Sequence, residues 1–147
     1  MHPSTYDYVP DLMNLGEFSE GSLLHTVRSR FKDASKIYTQ IGSAILVSVN
    51  PFRERKQLFS ARMAKMFQQE SKKRKLNASA PKDREPHLFK VAEEAYQSMR
   101  ASSKNQEIII SGISGSGKTE AAKLMLAYLA NACNNFRQLD ASQAGLE

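Results

Sequence analysis

The sequence predicts an α/β fold. Two short apolar runs rich in β-branched residues, at 44–49 and 107–111, have the length and composition of strands. The second run contains three consecutive isoleucines, which is typical of a strand buried on both faces of a parallel sheet. Between and after these runs, apolar residues recur every three or four positions, as they do in amphipathic helices. Strands that alternate with helices favour an α/β architecture.

Four helices are predicted in chain order. The first covers residues 20–31 after Ser19, a possible N-cap, and the second covers about 60–75. The third begins just after Pro86, and the fourth follows a glycine-rich loop. The predicted buried faces are Leu23, Leu24, Val27 and Phe31; Met63, Met66 and Phe67; Leu88, Val91, Ala92, Ala95, Tyr96 and Met99; and Ala121, Leu124, Met125, Tyr128, Leu129 and Ala132. Residues 76–86 read as a surface loop, and residues 134–147 show no clear pattern.

Length and composition limit the classes of protein to consider. The chain has 147 residues, enough for about one domain, and 41% of them are hydrophobic. The single cysteine, Cys133, allows no internal disulfide and suits a reducing compartment, where we expect it to pack near a helix end. No apolar run approaches the ~20 residues of a membrane span, and no signal peptide is visible. The sequence therefore predicts an intracellular protein.

The basic charge of the chain permits an acidic partner without selecting one. The net charge is +6, and part of the excess lies in the run Lys72-Lys73-Arg74-Lys75. Cations at the C-terminal end of a helix complement the helix dipole, so we expect a solvated helix end. A nucleic-acid patch is the alternative, and without interleaved aromatic residues we expect no nucleic-acid partner.

A phosphate-binding motif precedes the last helix. Residues 112–119 fit G-x-x-x-x-G-K-[ST], whose glycine-rich loop surrounds the phosphates of a nucleoside triphosphate. Gly112, Gly115 and Gly117 allow positive φ angles and let main-chain N–H groups approach an anion with no Cβ in the way. The N-terminus of the following helix adds partial positive charge. Strand, loop and helix occur in the order that the motif requires.

Each residue of the motif has an expected role. Lys118 is expected to reach the β- and γ-phosphates, and the hydroxyl of Thr119 is expected to coordinate Mg²⁺. Ser114 and Ser116 are expected to contribute backbone N–H groups. The candidate cofactor-binding residues are Gly112, Ile113, Ser114, Gly115, Ser116, Gly117, Lys118 and Thr119, and Thr119 is also the candidate metal ligand. The alternative is a glycine- and serine-rich surface turn before a helix.

No catalytic residue is assigned from the sequence. Enzymes with this loop hold Mg²⁺ with a further acidic residue at the end of another strand, and Asp140 follows no strand. His2, His25 and His87 are scattered, and no spacing suggests a metal cage of protein ligands. We therefore expect the chain to end before its active site is complete, and to have no ATPase activity by itself.

A series of short blocks resembles the opening of the myosin motor domain. The blocks are Asp11-Leu12-Met13-Asn14-Leu15, Ser19-Glu20, Leu23-Leu24-His25, Arg30-Phe31, Ile37-Tyr38-Thr39, Val47-Ser48-Val49-Asn50-Pro51-Phe52, Pro86-His87-Leu88-Phe89, Ala95-Tyr96 and residues 111–120. They occur in the family's order and spacing across residues 9–132. The resemblance implies an incomplete P-loop NTPase core, with a partial mixed sheet among helices. Residues 1–10 would be an irregular lead-in, and residues 11–147 a partial motor domain that ends just after the P-loop helix.

The resemblance also implies ligands and partners. These are ATP with Mg²⁺, an actin filament as the track, and a place in the cytoskeleton of the cytoplasm. Asn50 matches the family's adenine-side loop, and Phe59 is the weaker candidate for the aromatic residue that closes it. Two positions depart from the family pattern: Ile113 stands where Glu is usual, and Ser116 where Ala is usual. Two alternatives stay open, a P-loop protein of another type such as a nucleotide kinase, and a non-catalytic basic interaction fragment.

Overall fold

A computed structural model describes residues 9–32, 36–76 and 85–144, and the chain divides into two compact units. The first comprises Met1–Leu58 and Pro81–Leu88, and the second comprises Phe59–Ala80 and Phe89–Glu147. The elements are α1 (Glu20–Lys32), β1 (Tyr38–Ile41), β2 (Ile45–Ser48), α2 (Ala61–Leu76), α3 (Leu88–Ser102) and α4 (Lys118–Ala144), with a 3-10 turn at Leu12–Asn14. Most of the lead-in predicted for 1–10 and of the loop predicted for 76–86 lies outside the described residues.

The first unit contains a two-stranded antiparallel hairpin. Tyr38 of β1 lies opposite Ser48 of β2, and Ile41 lies opposite Ile45. The turn between the strands includes Gly42, whose φ of 59° is in the left-handed region that favours glycine. The strand predicted at 44–49 is confirmed as β2. β1 was not predicted, because two of its four residues are polar and the run is short.

Asp11 ties the chain before α1 to the hairpin turn. Its Oδ1 atom accepts hydrogen bonds from the Met13 N–H at 3.0 Å and from the Gly42 N–H at 2.9 Å. The Gln40 N–H also donates to the Pro10 carbonyl at 2.9 Å. One carboxylate thus caps the 3-10 turn and holds the hairpin turn against it.

A reciprocal pair of serines begins α1. The Ser22 N–H donates to Ser19 Oγ at 3.3 Å, and the Ser19 N–H donates to Ser22 Oγ at 3.0 Å. This arrangement is a capping box in which Ser22 takes the place usually held by Glu or Gln. The prediction of Ser19 as the N-cap is confirmed.

The apolar face predicted for α1 is wrong in part. Leu24 is 68% exposed and Phe31 is 36% exposed, whereas the side chains of Thr26 and Arg30 are fully buried. The buried face of the helix is therefore polar. It is satisfied by hydrogen bonds that local periodicity does not reveal, such as the one from Thr26 Oγ1 to the Ser22 carbonyl at 2.8 Å.

Arg30 joins three segments of the first unit. Its guanidinium donates to the Tyr38 carbonyl at 3.0 Å and to Thr39 Oγ1 at 3.1 Å, both on β1. It also forms an ion pair with the carboxylate of Glu85, which Lys36 approaches at 3.7 Å. A buried guanidinium requires such partners, because an unpaired buried charge is strongly destabilising.

His87 is buried as a neutral imidazole in the first unit. It is 5% exposed, its ring meets Tyr38 edge-on at 5.4 Å, and its Nε2–H donates to the Leu58 carbonyl at 3.0 Å. Burial lowers the pKa of His87 to about 4, an effect that the hydrogen bond to Leu58 partly opposes. The imidazole therefore stays uncharged at pH values where an exposed histidine gains a proton.

The second unit contains most of the three remaining helices. Ser60 caps α2 by accepting from the Met63 N–H at 3.3 Å, so the predicted helix at 60–75 is confirmed with a shift of one residue. The stripes predicted for α3 and α4 are confirmed at their centres, although Met99 is 40% exposed. The most buried members of these predicted faces are Phe67, Leu88, Ala92, Tyr96, Met125, Tyr128 and Ala132.

Tyr128 is the centre of the core of the second unit. It is 1% exposed, and its ring stacks on Phe89 with 4.7 Å between centroids. Its hydroxyl donates to Glu93 Oε2 at 2.7 Å, and the Gln97 side-chain amide donates to Glu93 Oε1 at 2.8 Å. Glu93 itself is 3% exposed, so both of its oxygens are satisfied inside the protein.

Two predictions near the phosphate-binding motif are corrected. Residues 107–111 form no strand, and no described residue pairs with them; Ile109 is 86% exposed. The described part of the chain therefore contains the antiparallel hairpin in place of a partial mixed sheet. An apolar run is buried on both faces only within a sheet whose two faces are covered by other elements. Residues 134–147 show no clear pattern in the sequence, whereas in the structure α4 continues to Ala144.

The lowered pKa of His87 predicts a loss of stability in acid. The unfolded chain binds a proton at His87 below its ordinary pKa of 6.5, while the folded chain binds one only near pH 4. The free energy of unfolding should therefore fall as pH drops from 6.5 to 4, by about 3 kcal/mol from this group. Urea denaturation at a series of pH values measures the effect. His87→Gln should flatten the pH dependence, and the same change at exposed His25 is the control. An unchanged pH dependence in His87→Gln would contradict the prediction.

Removal of the Tyr128 hydroxyl should destabilise the second unit. Tyr128→Phe keeps the ring stacked on Phe89 but deprives buried Glu93 of a donor, at a cost of about 1–3 kcal/mol in the free energy of unfolding. Chemical denaturation measures this cost. In a Glu93→Gln background the same substitution should cost less, because no buried carboxylate loses its donor. Equal costs in the two backgrounds would refute the assigned role of the hydroxyl.

Candidate phosphate-binding loop

Residues 112–117 connect an extended segment to the N-terminus of α4. The helix begins at Lys118, and its first hydrogen bond runs from the Ala121 N–H to the Gly117 carbonyl at 2.9 Å. Gly117 therefore occupies the N-cap position. The N–H groups of the first helical turn, including those of Lys118 and Thr119, have no acceptor within the helix. The end of α4 next to the loop is thus suited to an anion.

The backbone of the loop requires its glycines. Gly112, Gly115 and Gly117 have φ angles of 154°, 77° and 93°, all outside the range that other residues commonly adopt. A Cβ at Gly112 would also lie 2.6 Å from Ser116 Oγ, closer than atoms normally approach. The positive φ values expected for these residues are confirmed.

Lys118 folds back over the loop that precedes it. Its Nζ atom donates to the Gly112 carbonyl at 2.7 Å and to the Ile113 carbonyl at 2.8 Å. The Ser116 N–H donates to the Ile113 carbonyl at 3.3 Å, which closes the turn beneath. The two acceptors hold the ammonium group against the loop.

The side chains of the loop differ in exposure. Ile113 is 83% exposed, and Ser114 and Thr119 are also exposed. Ser116 is half-buried, with its hydroxyl against Gly112. None of the eight motif residues is acidic, so the donor set of one ammonium group, two exposed hydroxyls and several N–H groups fits a polyanion.

Asn50 lies in the first unit, whereas the loop belongs to the second. Its Oδ1 atom accepts from the Phe52 N–H at 2.9 Å, which makes a local turn. Phe52 has a φ of 49° and is 83% exposed. Phe59 meets Phe89 edge-on at 5.9 Å within the second unit, so it contributes to the core there.

Other candidate chemistry is absent from the described residues. They contain no group of three or more His, Cys, Asp or Glu side chains that could hold a metal ion. Cys133 is exposed on α4, so the expectation that it packs at a helix end is wrong. None of the helices in the described ranges combines the length and apolar character that crossing a bilayer demands.

Two features of the loop were not foreseen from the sequence. One is the pair of carbonyl acceptors that hold Lys118, and the other is the packing of Ser116 against Gly112. The motif shows that a lysine and glycines are needed. It does not show which main-chain carbonyls accept from the lysine, because every residue type carries a carbonyl. The close approach at Gly112 depends on how the loop closes, six residues before α4 begins at Lys118.

Comparison with known proteins identifies relatives over most of the chain. The family described as myosin head (motor domain) matches residues 9–145. Myosin-M heavy chain of Dictyostelium discoideum is 40% identical over 124 residues, which are 84% of this chain and 7% of that protein. Unconventional myosin heavy chain 6 of Caenorhabditis elegans is 40% identical over 130 residues, which are 88% of this chain and 6% of that protein. Unconventional myosin-XV of Homo sapiens is 44% identical over 133 residues, which are 90% of this chain and 3% of that protein.

The matched region contains both the hairpin and the glycine loop. Helices and a small sheet are consistent with an α/β segment of a motor domain, and the chain spans less than a tenth of the length of these three relatives. Because the family match covers more than half of the sequence, the resemblance seen in its short blocks is confirmed. The chain belongs to the myosin head (motor domain) family.

Proposed function

We propose that this chain is the ATP-binding N-terminal segment of an actin-based myosin motor. The observation that carries the proposal is the geometry of residues 112–119, in which three glycines at positive φ precede a lysine held at the N-terminus of α4. Membership of the myosin head family supports ATP as the nucleotide and actin as the track. The same membership supports a cytoplasmic, cytoskeletal location.

The residues of the loop would divide the work of binding. The N–H groups of the loop and of the first turn of α4 would contact the phosphate oxygens, because they lack acceptors within the helix. Lys118 would exchange one or both carbonyl acceptors for the β- and γ-phosphates, a short movement for a long side chain. The exposed hydroxyl of Thr119 would coordinate Mg²⁺, which neutralises charge on the phosphates when bound.

Ile113 is the departure with the clearest functional meaning. Its side chain is 83% exposed, so it does not pack in the core. An apolar side chain offers no ionic contact of the kind that the Glu usual in the family can make. Its backbone N–H is nevertheless equivalent to that of any other residue. Phosphate capture should thus be retained, while later closure of the pocket should differ.

Asn50 is proposed to contact the purine. Its carbonyl oxygen is engaged by the Phe52 N–H, so the side-chain amide is oriented by a local turn. Phe59 is set aside as the closing aromatic residue, because it packs against Phe89. The proposal for Asn50 is independent of the loop and can fail without affecting it.

Replacement of Lys118 tests the assignment of the loop. Lys118→Ala removes the ammonium group that would contact the β- and γ-phosphates, a charge-assisted interaction worth about 1.5–3 kcal/mol. Isothermal titration calorimetry of the 147-residue chain should show that Lys118→Ala binds MgATP about ten- to hundredfold more weakly than the parent. Lys123→Ala, at an exposed position in the second turn of α4, is the matched control. If Lys118→Ala binds MgATP as tightly as the parent, residues 112–119 are not the phosphate site.

Replacement of Ile113 tests which step the departure affects. We expect Ile113→Glu to change ATP affinity less than Lys118→Ala does, because the backbone donors remain, and to change the rate of hydrolysis. The measurement needs a complete motor, such as a chimaera in which residues 9–145 replace the matching stretch of Myosin-M heavy chain. Ile113→Gln separates shape from charge. Should Ile113→Glu convert a non-binder into an ATP binder, the loop as it stands would be defective.

A further inference from the structure

The exposed face of α2 carries charge of one sign. Between residues 62 and 73, its five exposed residues lie on the side opposite buried Phe67, as the 3.6-residue period requires. They are Arg62, Lys65, Gln69, Lys72 and Lys73, which together are called the basic face below. Glu70, the one acidic residue in the helix, is half-buried and lines a cavity with Lys90 of α3. Four cations and no anion therefore face the solvent.

These four cations are not neutralised within the described part of the chain. Each lacks an ion pair or hydrogen bond to another described residue, whereas exposed Lys123 of α4 approaches Glu120 at 3.6 Å. Like charges three residues apart on a helix, such as Arg62 and Lys65, repel each other. The basic face consequently costs some helix stability.

The helix dipole accounts for half of the basic face. Lys72 and Lys73 lie near the C-terminal end of α2, where positive charge is favourable. Arg62 lies in the first turn and Lys65 in the second, where the partial charge of the helix is positive and cations are unfavourable. No acidic residue occupies the first turn. The stability of α2 therefore gives no reason for cations at 62 and 65.

We propose that the basic face binds an anionic phospholipid surface. It extends for roughly 16 Å along the helix, so its four cations can meet one leaflet together. It includes no apolar side chain, so contact would remain at the depth of the headgroups. Rows of lysine and arginine on an amphipathic helix are suited to this kind of attachment.

The composition of the basic face favours lipid over other acidic partners. It contains no aromatic residue on which the bases of a single-stranded nucleic acid could stack. Three of its four cations are lysines, which act as hydrated point charges and do not form the two-pronged contacts of arginine. Attraction to a bilayer surface requires positive charge but no complementary shape, and the basic face offers exposed positive charge.

Vesicle flotation of the 147-residue chain tests the proposal. The probe is phosphatidylcholine vesicles with and without phosphatidylserine. The chain should bind only the vesicles that contain phosphatidylserine, and this binding should weaken as salt is added. Each basic residue near such a surface strengthens binding about fivefold. The variant Arg62→Gln/Lys65→Gln should therefore bind about 25-fold more weakly. Circular dichroism should show the same helix content, because both side chains are exposed.

A matched control separates the basic face from net charge. The variant Arg28→Gln/Lys104→Gln also removes two exposed cations and lowers the net charge from +6 to +4, yet it leaves α2 intact. It should retain most of the binding. Equal losses in the two variants, binding to phosphatidylcholine alone, or no binding to phosphatidylserine vesicles would each overturn the proposal. The proposal would also be overturned if duplex DNA or RNA bound the chain through Arg62 and Lys65 while vesicles did not bind.

Discussion

An ionisable side chain that leaves water must be hydrogen-bonded or paired with an opposite charge, and this constraint organises each of the two units. In the first unit, Arg30 is fully buried, and its donors reach β1 and Glu85. The position of α1 against the hairpin, and of the segment before α3, follows from that pairing. In the second unit, buried Glu93 accepts hydrogen bonds from Tyr128 and Gln97, and the ring of Tyr128 stacks on Phe89. Both cores therefore arrange apolar contacts around a buried ionisable side chain whose hydrogen bonds are satisfied.

The phosphate-binding loop follows a different constraint, that of backbone conformation. Three glycines at positive φ and the close contact of Ser116 with Gly112 define a turn that other residues would strain. Lys118 is then placed by two main-chain carbonyls and not by a side-chain partner. The loop can hold this form with most of its surface exposed, because its hydrogen bonds are local. Sequence changes at exposed positions such as Ile113 can therefore alter what the loop does without altering how it is built.

Some exposed apolar residues lie where the sequence predicted burial. Ile109 precedes the loop, and Leu24 lies on the face of α1 that periodicity assigned to the core. Burial of an isoleucine run on both faces requires a sheet with both faces covered, and the described residues form no sheet there. Periodicity shows that a segment has an apolar face suited to burial. The face is buried only if another element packs against it. The relatives extend far beyond the stretch that they share with this chain.

The sequence alone determined the features whose causes are local. These include the four helices, the serine cap of α1, the strand β2, the central burial of α3 and α4 and the glycine geometry of the loop. It also identified the family, because the motif and its flanking blocks are read directly from residue types. Tertiary structure decided which face of α1 is buried, that β1 pairs with β2, and which carbonyls hold Lys118. These features arise from partners distant in the chain or from main-chain groups that every residue carries, so composition and spacing contain no signal for them.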